Sequence, residues 1–204
     1  MKKFLLTGAL VAGLTAGAFA QSAPPVHIRG VVTALDGNVL TVGAPIGTAT
    51  TKVTLAPNFK VAYVVRATIA AIVPGSYVGT AAIPQIDGSL RAIEVHIFPP
   101  GLKPGPGTRP WDLTPTSTMT NGNVDNIGAT KVDNVAAGVL KISYEGGEKT
   151  VTVPASASIV GYAPADATAL VPGAHVNLFA VKGADGSLSA ASVNVGKDGI
   201  VPPM

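Results

Sequence analysis

The stretch "VPGSYVGTAAIPQIDGSLRAIEVHI" (residues 73–97) decides the fold class, because the chain repeats it 98 residues later. The second copy, "VPGAHVNLFAVKGADGSLSAASVNV" (residues 171–195), matches it at 11 of 25 positions without a gap. The letters that recur are mostly Val, Pro, Gly and Leu, together with an Asp-Gly-Ser turn. Asp-Gly readily takes the positive φ angles of tight hairpin turns. The repeat therefore predicts a duplicated structural unit whose copies each end in a β-hairpin.

The segments before each copy have strand patterns as well. "VHIRGVVTAL" alternates apolar and polar residues with period two, which predicts a half-buried strand, and "DGN" (36–38) predicts a hairpin turn after it. "VLTVG" and "TKVTLA" follow as strands, and "RATIAAI" (66–72) is the best candidate for a short helix. The second unit keeps this order, although its Gly- and Asn-rich first strands predict a bulge or a longer loop.

Two copies of strand-strand-strand-short helix-strand-strand predict an all-β protein with short helices, built as two tandem OB-like small β-barrels. Closing five strands into a barrel removes the exposed sheet edges that a short unit cannot otherwise protect. The alternative is two stacked β-sandwich modules, and the short helix before the fourth strand favours the barrel. The predicted divisions are a cleaved signal helix (1–20), a first barrel (21–98), a linker (99–120), a second barrel (121–197) and a tail (198–204).

Residues 1–20 have the layout of a secretory signal peptide. "MKK" is positive, "FLLTGALVAGLTAG" is apolar but short for a membrane span, and "AFA" before Gln21 resembles a cleavage site. We therefore expect a soluble product outside the cytoplasm, in the periplasm of a Gram-negative cell.

Charge and cysteine content exclude several classes of function. Two of the 14 basic residues, Lys2 and Lys3, leave with the signal, and the remainder nearly balance 11 acidic residues. Nucleic-acid binding needs a concentrated basic surface, and here the cations are scattered, so no nucleic-acid partner is expected. The absence of cysteine excludes disulfides and thiolate metal sites.

The Pro- and Gly-rich linker contains the only tryptophan, Trp111, in "RPWDL". A linker that served only as a spacer would not need the residues of "RPWDL". We expect Trp111 and Leu113 to pack in the seam between the barrels, with Arg109 and Asp112 pairing with or capping nearby backbone. Tyr77 is a further candidate for a partner or inter-domain contact, because the second copy replaces it with His175.

One metal site is conceivable. Glu94 and His96 are two apart on one predicted strand and so share a face, and such a pair supplies two ligands to copper or zinc. His27, on the polar face of the first strand, is a possible third ligand. The alternative is that all three are solvated polar-face residues, since the second copy has Ser192 and Asn194 in place of Glu94 and His96.

The sequence contains no Gly-x-Ser-x-Gly elbow, no conspicuous carboxylate pair and no phosphate-binding loop. We therefore predict a non-catalytic protein without a cofactor that binds an envelope protein or glycan, or acts structurally. The competing hypothesis is a periplasmic metal-binding protein that uses His96, Glu94 and His27.

"RPWDL…STMTN", with "VRATIAAIVPG" before it and "GKDGIVPPM" at the end, resembles a family of small exported alphaproteobacterial proteins with tandem OB-like domains of unknown function. The resemblance covers essentially the whole chain after the signal. Members are sometimes labelled metal-transporter permeases, but a permease needs several apolar spans of roughly 20 residues. The family implies the fold and the compartment, and supplies no catalytic residues.

Overall fold

The computed structural model describes residues 24–132 and 135–203, which form an all-β structure of twelve strands in one continuous sheet. The predicted signal helix lies outside these residues. No helix within them is long and apolar enough to cross a membrane. The strands are β1 (Val26–Asp36), β2 (Val39–Gly43), β3 (Thr50–Arg66), β4 (Tyr77–Pro84), β5 (Leu90–Ile97), β6 (Gly107–Pro110), β7 (Thr118–Val132), β8 (Val135–Tyr144), β9 (Gly147–Val153), β10 (Ser158–Ala165), β11 (His175–Lys182) and β12 (Leu188–Gly196).

The short helices predicted before the fourth strand of each unit are single 3₁₀ turns, at Ile69–Ala71 and Ala167–Ala169. The helix expected over residues 66–72 is therefore wrong in extent. β3 runs on to Arg66 and Pro74 follows soon after, so only one turn fits between them. A single turn has too few hydrogen bonds to offset the cost of helix nucleation.

The predicted hairpin turns are present. Gly37 follows β1 with a φ of 59°, and β2 begins two residues later. In the duplicated hairpins, the Asp87 side chain accepts a hydrogen bond from the Ser89 backbone at 2.9 Å, and Asp185 does the same with Ser187 at 3.0 Å. The copied Asp-Gly-Ser sequence therefore forms the same turn twice.

Five strands close into a barrel in the order β1-β2-β3-β12-β11, with β11 pairing back to β1. All neighbours are antiparallel except β3 and β12, which are parallel. The barrel was expected to close within residues 21–98. Instead, it takes three strands from the first repeat and two from the second.

The exchange is reciprocal. β4 and β5 leave the first repeat and join β7, β8 and β9 of the second: β4 pairs with β7, and β5 meets β9 at Leu90 and Arg91. The two hydrophobic cores follow the same division. One surrounds Leu40, Leu55 and Leu178, and the other surrounds Val95, Leu140 and Ile142, so each core draws on both repeats.

The molecule has two halves, which are the closed barrel and the set β4, β5, β7, β8 and β9. β3 and β10 join the two halves as an antiparallel pair. Val64 lies opposite Tyr162, its own counterpart 98 residues along, so a pseudo-two-fold axis passes between them. The first part of β3 pairs with β2, and its second part pairs with β12 and β10. A four-stranded surface, β12-β3-β10-β5, therefore spans both halves.

The segment expected as an irregular linker contains β6, which pairs with the start of β7. An edge position tolerates Pro110, the last residue of β6, because a proline has no backbone N–H to donate there. The C-terminal tail is also packed: Ile200 is buried against Val64 and Val160.

The exchanged hairpins predict how a split chain behaves. We expect the fragments 21–105 and 106–204 to co-elute as a one-to-one complex in size-exclusion chromatography when mixed, because each holds the hairpin that completes the other's core. The same fragments run separately are the control. Two independently folded monomers that ignore each other on mixing would contradict the exchange.

Candidate binding cleft

A cleft of about 1220 Å³ opens on the four-stranded surface where the two halves meet. Its floor includes Ala62 of β3, Pro164 of β10 and Asn194 of β12. Residues 98–112, between β5 and the start of β7, form a wall with Leu102 and Pro104. Two groups of aromatic side chains line the cleft, one from each half.

The first aromatic group contains Phe98, Tyr162 and His96. The rings of Phe98 and Tyr162 stack with centroids 5.4 Å apart and planes 10° from parallel. The Nδ1 atom of His96 is 3.0 Å from the Tyr162 hydroxyl, and its Nε2 atom is 3.5 Å from Oε1 of Glu94. Glu94 and His96 are buried, at 2% and 0% exposure. The interpretation of these two as solvated residues is therefore wrong.

A β-bulge turns Glu94 and His96 towards this side of the sheet. Ala81 pairs with Glu94 but the next residue, Ala82, pairs with Ala92, so Ile93 has no opposite partner. An extra residue in one strand shifts the alternation of side chains between faces. β10 of the second repeat lies beside β5 in the sheet, with Ser158 opposite Glu94 and Val160 opposite His96, and both side chains are buried at this joint.

Burial raises the pKa of Tyr162, and the nearby Glu94 carboxylate raises it further. The phenol therefore stays protonated at neutral pH. The Tyr162 hydroxyl and His96 Nδ1 share a hydrogen bond. His96 thus lies between Tyr162 and Glu94, while its Nε2 atom and Glu94 Oε1 form no hydrogen bond within the described residues.

The second aromatic group contains His27 of β1, Phe179 of β11 and Trp111. His27 and Phe179 stack with centroids 4.2 Å apart, and the Trp111 ring lies 5.5 Å from His27 and 6.1 Å from Phe179. Trp111 is half-buried. It packs on two strands of the closed barrel and lines the cleft between the halves.

An ionic clamp beside Trp111 holds this segment on β1. Both carboxylate oxygens of Asp112 accept hydrogen bonds from Arg29, at 2.9 and 2.7 Å, and His27 Nδ1 lies 3.3 Å from Asp112 Oδ2. The hydrogen bonds from Arg29 hold the pKa of Asp112 below its usual value. Asp112 thus pairs with a side chain, one of the two roles expected for it. Arg29 was missed because nothing in the sequence links residues 83 positions apart.

Arg109 and Tyr77 fix the loop before β6. Nη1 of Arg109 donates to the Gly105 carbonyl at 3.0 Å, and the guanidinium lies 5.7 Å from the centre of the Trp111 ring. The hydroxyl of Tyr77, which is buried, donates to the Pro104 carbonyl at 3.0 Å. Arg109 therefore caps backbone, and Tyr77 joins β4 to the cleft wall.

The three predicted metal ligands do not come together. Glu94 and His96 belong to the first aromatic group, whereas His27 belongs to the second, with Asp112 as its acidic neighbour. Among residues 24–132 and 135–203, no group of three or more His, Cys, Asp or Glu side chains is placed to hold a metal ion.

A smaller cavity of about 530 Å³ lies on the opposite side of the pseudo-two-fold axis, lined by Arg66, Ser158 and Val160. The C-terminal tail walls it, as residues 98–112 wall the cleft. Both segments follow the last strand of a repeat. The cleft and this cavity are thus related positions with different linings.

The aromatic residues that sequence reasoning missed are Phe98, Tyr162 and Phe179. Each lacks an aromatic counterpart in the other repeat, where Gly196, Val64 and Ala81 take their places. This difference could have identified them as candidate site residues. The shared scaffold does not require an aromatic ring at a position where the other repeat has none.

No family model, no curated protein and no solved structure matches this chain.

The packing of Trp111 predicts its fluorescence. We expect an emission maximum shifted to the blue of a water-exposed indole, because the ring contacts His27 and Phe179. Asp112→Asn should move the maximum to the red by loosening the clamp. Asp125→Asn serves as the control, because Asp125 lies on β7 and accepts a hydrogen bond from Ser143. A fully exposed emission maximum in the unmodified protein would contradict this packing.

The clamp also predicts a pH dependence. Burial, followed by the Arg29 charge, lowers the pKa of His27 below its usual value of about 6.5, against the opposing effect of Asp112. The unfolded chain thus binds this proton more readily, so the stability from neutral His27 is complete above about pH 6.5 and is lost as the pH falls towards the lowered pKa.

We expect His27→Gln to flatten the decline in Tm between pH 7 and pH 5, measured by thermal unfolding. His175→Gln is the matched control on the same barrel. An unchanged slope in His27→Gln would show that this histidine does not titrate with folding.

Proposed function

We propose that this chain is an exported, non-catalytic binding protein of the cell envelope, periplasmic after removal of residues 1–20. Its binding site is the cleft between the two halves. The observation that carries the proposal is the lining of the cleft, in which two aromatic groups face a space of about 1220 Å³. Ligand sites are typically concave and mostly apolar, with a few placed polar groups, and measure roughly 300–1000 Å³ for drug-sized ligands.

The aromatic rings are held in place by contacts with one another. Phe98 stacks on Tyr162, which His96 in turn contacts, while Trp111 rests on His27 and Phe179. Preorganised rings lose little conformational entropy on binding, and that favours affinity. Phe179 is 40% exposed, which leaves contact area for an apolar molecule.

We further propose that the two halves are OB-like barrels that exchange their final hairpins. The closed ring β1-β2-β3-β12-β11 supports this, since it has the strand order of a five-stranded Greek-key barrel once β11 and β12 replace β4 and β5. The reciprocal set β7-β8-β9-β5-β4 has the same order.

A neutral dye tests the binding function. N-phenyl-1-naphthylamine, whose emission rises in apolar surroundings, should bind the signal-free chain with saturable fluorescence. Ala62→Trp should weaken this binding at least about tenfold, because the added ring occupies the floor of the cleft. Thr54→Trp, an exposed position elsewhere on β3, is the matched control and should bind as the unmodified chain does.

Saturable binding that is lost only in Ala62→Trp supports the proposal. Dye binding that is absent, or equally affected by both variants, would refute the cleft as the site. Calorimetric titration with Cu(II) and Zn(II) tests the competing function, because tight metal binding that disappears in His96→Ala would favour a metal-binding protein instead.

A further inference from the structure

We infer that the cleft selects amphiphiles, with an apolar body on the aromatic rings and an anionic head on Lys60 and Arg109. This rests on the proposed binding function and adds a class of ligand to it. Both cations line the cleft, together with Trp111 and Phe179.

Lys60 is a cation that the fold leaves available. It is exposed on β3 opposite Ser192 of β12, and it shares the floor of the cleft with Ala62 and Asn194. Within the described part of the chain it forms no ion pair. Its counterpart in the other repeat is Ser158, so the barrel scaffold does not require a cation at this position.

Arg109 supplies a second positive group, on the wall formed by residues 98–112. One of its nitrogens donates to the Gly105 carbonyl, and its guanidinium lies over Trp111. Its contacts within the described residues are thus a carbonyl and a ring, and neither neutralises its charge. An arginine held in this way keeps donors free for a carboxylate or phosphate oxygen.

The carboxylates near the cleft do not cancel these charges. Asp112 already accepts two hydrogen bonds from Arg29. Glu94 is buried behind the ring of His96, with 2% exposure. The cleft thus has a positive excess beside an apolar wall, which is the charge pattern that an anionic amphiphile complements.

Shape supports the same class of ligand. The cleft of about 1220 Å³ exceeds the roughly 300–1000 Å³ of ordinary small-molecule pockets. Its apolar lining includes Phe98, Leu102, Met119 and Phe179. An extended hydrocarbon or ring system fits this surface better than a compact polar molecule, since little of the lining offers hydrogen bonds.

Displacement of N-phenyl-1-naphthylamine by ligands of one chain length tests the inference. Decanoate, decanol and decyltrimethylammonium have the same alkyl chain but an anionic, a neutral and a cationic head. Below their micelle concentrations, we expect decanoate to displace the dye at about tenfold lower concentration than decanol, as one charge-assisted contact provides. Decyltrimethylammonium should be the weakest, and added salt should reduce the preference for decanoate.

Lys60→Gln should remove most of the preference for decanoate over decanol, because the contact with the anionic head is lost. Lys52→Gln, an exposed lysine earlier on β3 and outside the cleft, is the matched control. Equal displacement by all three compounds, or a preference for the cation, would overturn the anionic-head assignment while the binding function stands. Failure of the dye itself to bind would refute the proposed function.

Discussion

The antiparallel pairing of β3 with β10 is the contact on which the rest of the molecule depends. It places Val64 against Tyr162 on the pseudo-two-fold axis and joins the sheets of the two halves into one. Because β3 continues through this contact, the chain leaves the first half before it begins β4. The hairpin β4-β5 thus completes the other core, and β11-β12 returns to close the first. The floor of the cleft exists only because of this joint.

The cleft is lined by residues that differ between the two repeats. Turn residues and core aliphatics are shared by the two repeats, so they specify two similar halves. On the joint surface the repeats differ: Phe98 and His96 correspond to Gly196 and Asn194. Bulky rings on one side and small residues on the other give the two sides of the axis different shapes. The aromatic-lined cleft and the smaller cavity therefore differ in lining, although the scaffold is repeated.

The sequence predicts a good part of this structure. Strand periodicity, Asp-Gly turns and the 98-residue repeat indicate an all-β duplicated fold, and the Asp87 and Asp185 turns appear where they were expected. The exchange of hairpins could not be predicted from the sequence. The two hairpins have similar sequences, so their letters do not indicate which core each one joins. β3 runs for 17 residues to Arg66, and this length carries the chain into the other half. Glu94 and His96 share a face, as the sequence predicts, but their burial was missed, because it occurs where β5 pairs with β10 of the other repeat. Long-range pairs such as Arg29 with Asp112 have no local signature either.

The pairing of β1 with β11 has a consequence for the order of folding. Val26 lies beside Ala180, so the first strand waits for a partner that is made near the end of synthesis. Contacts so distant along the chain slow folding, because the intervening loop must lose conformational entropy before the strand pairing provides any stabilisation. Until then β1 and β3 present open edges on which other chains can pair. The finished molecule has the corresponding advantage: since each half retains a hairpin of the other, neither can unravel from its own end without opening both.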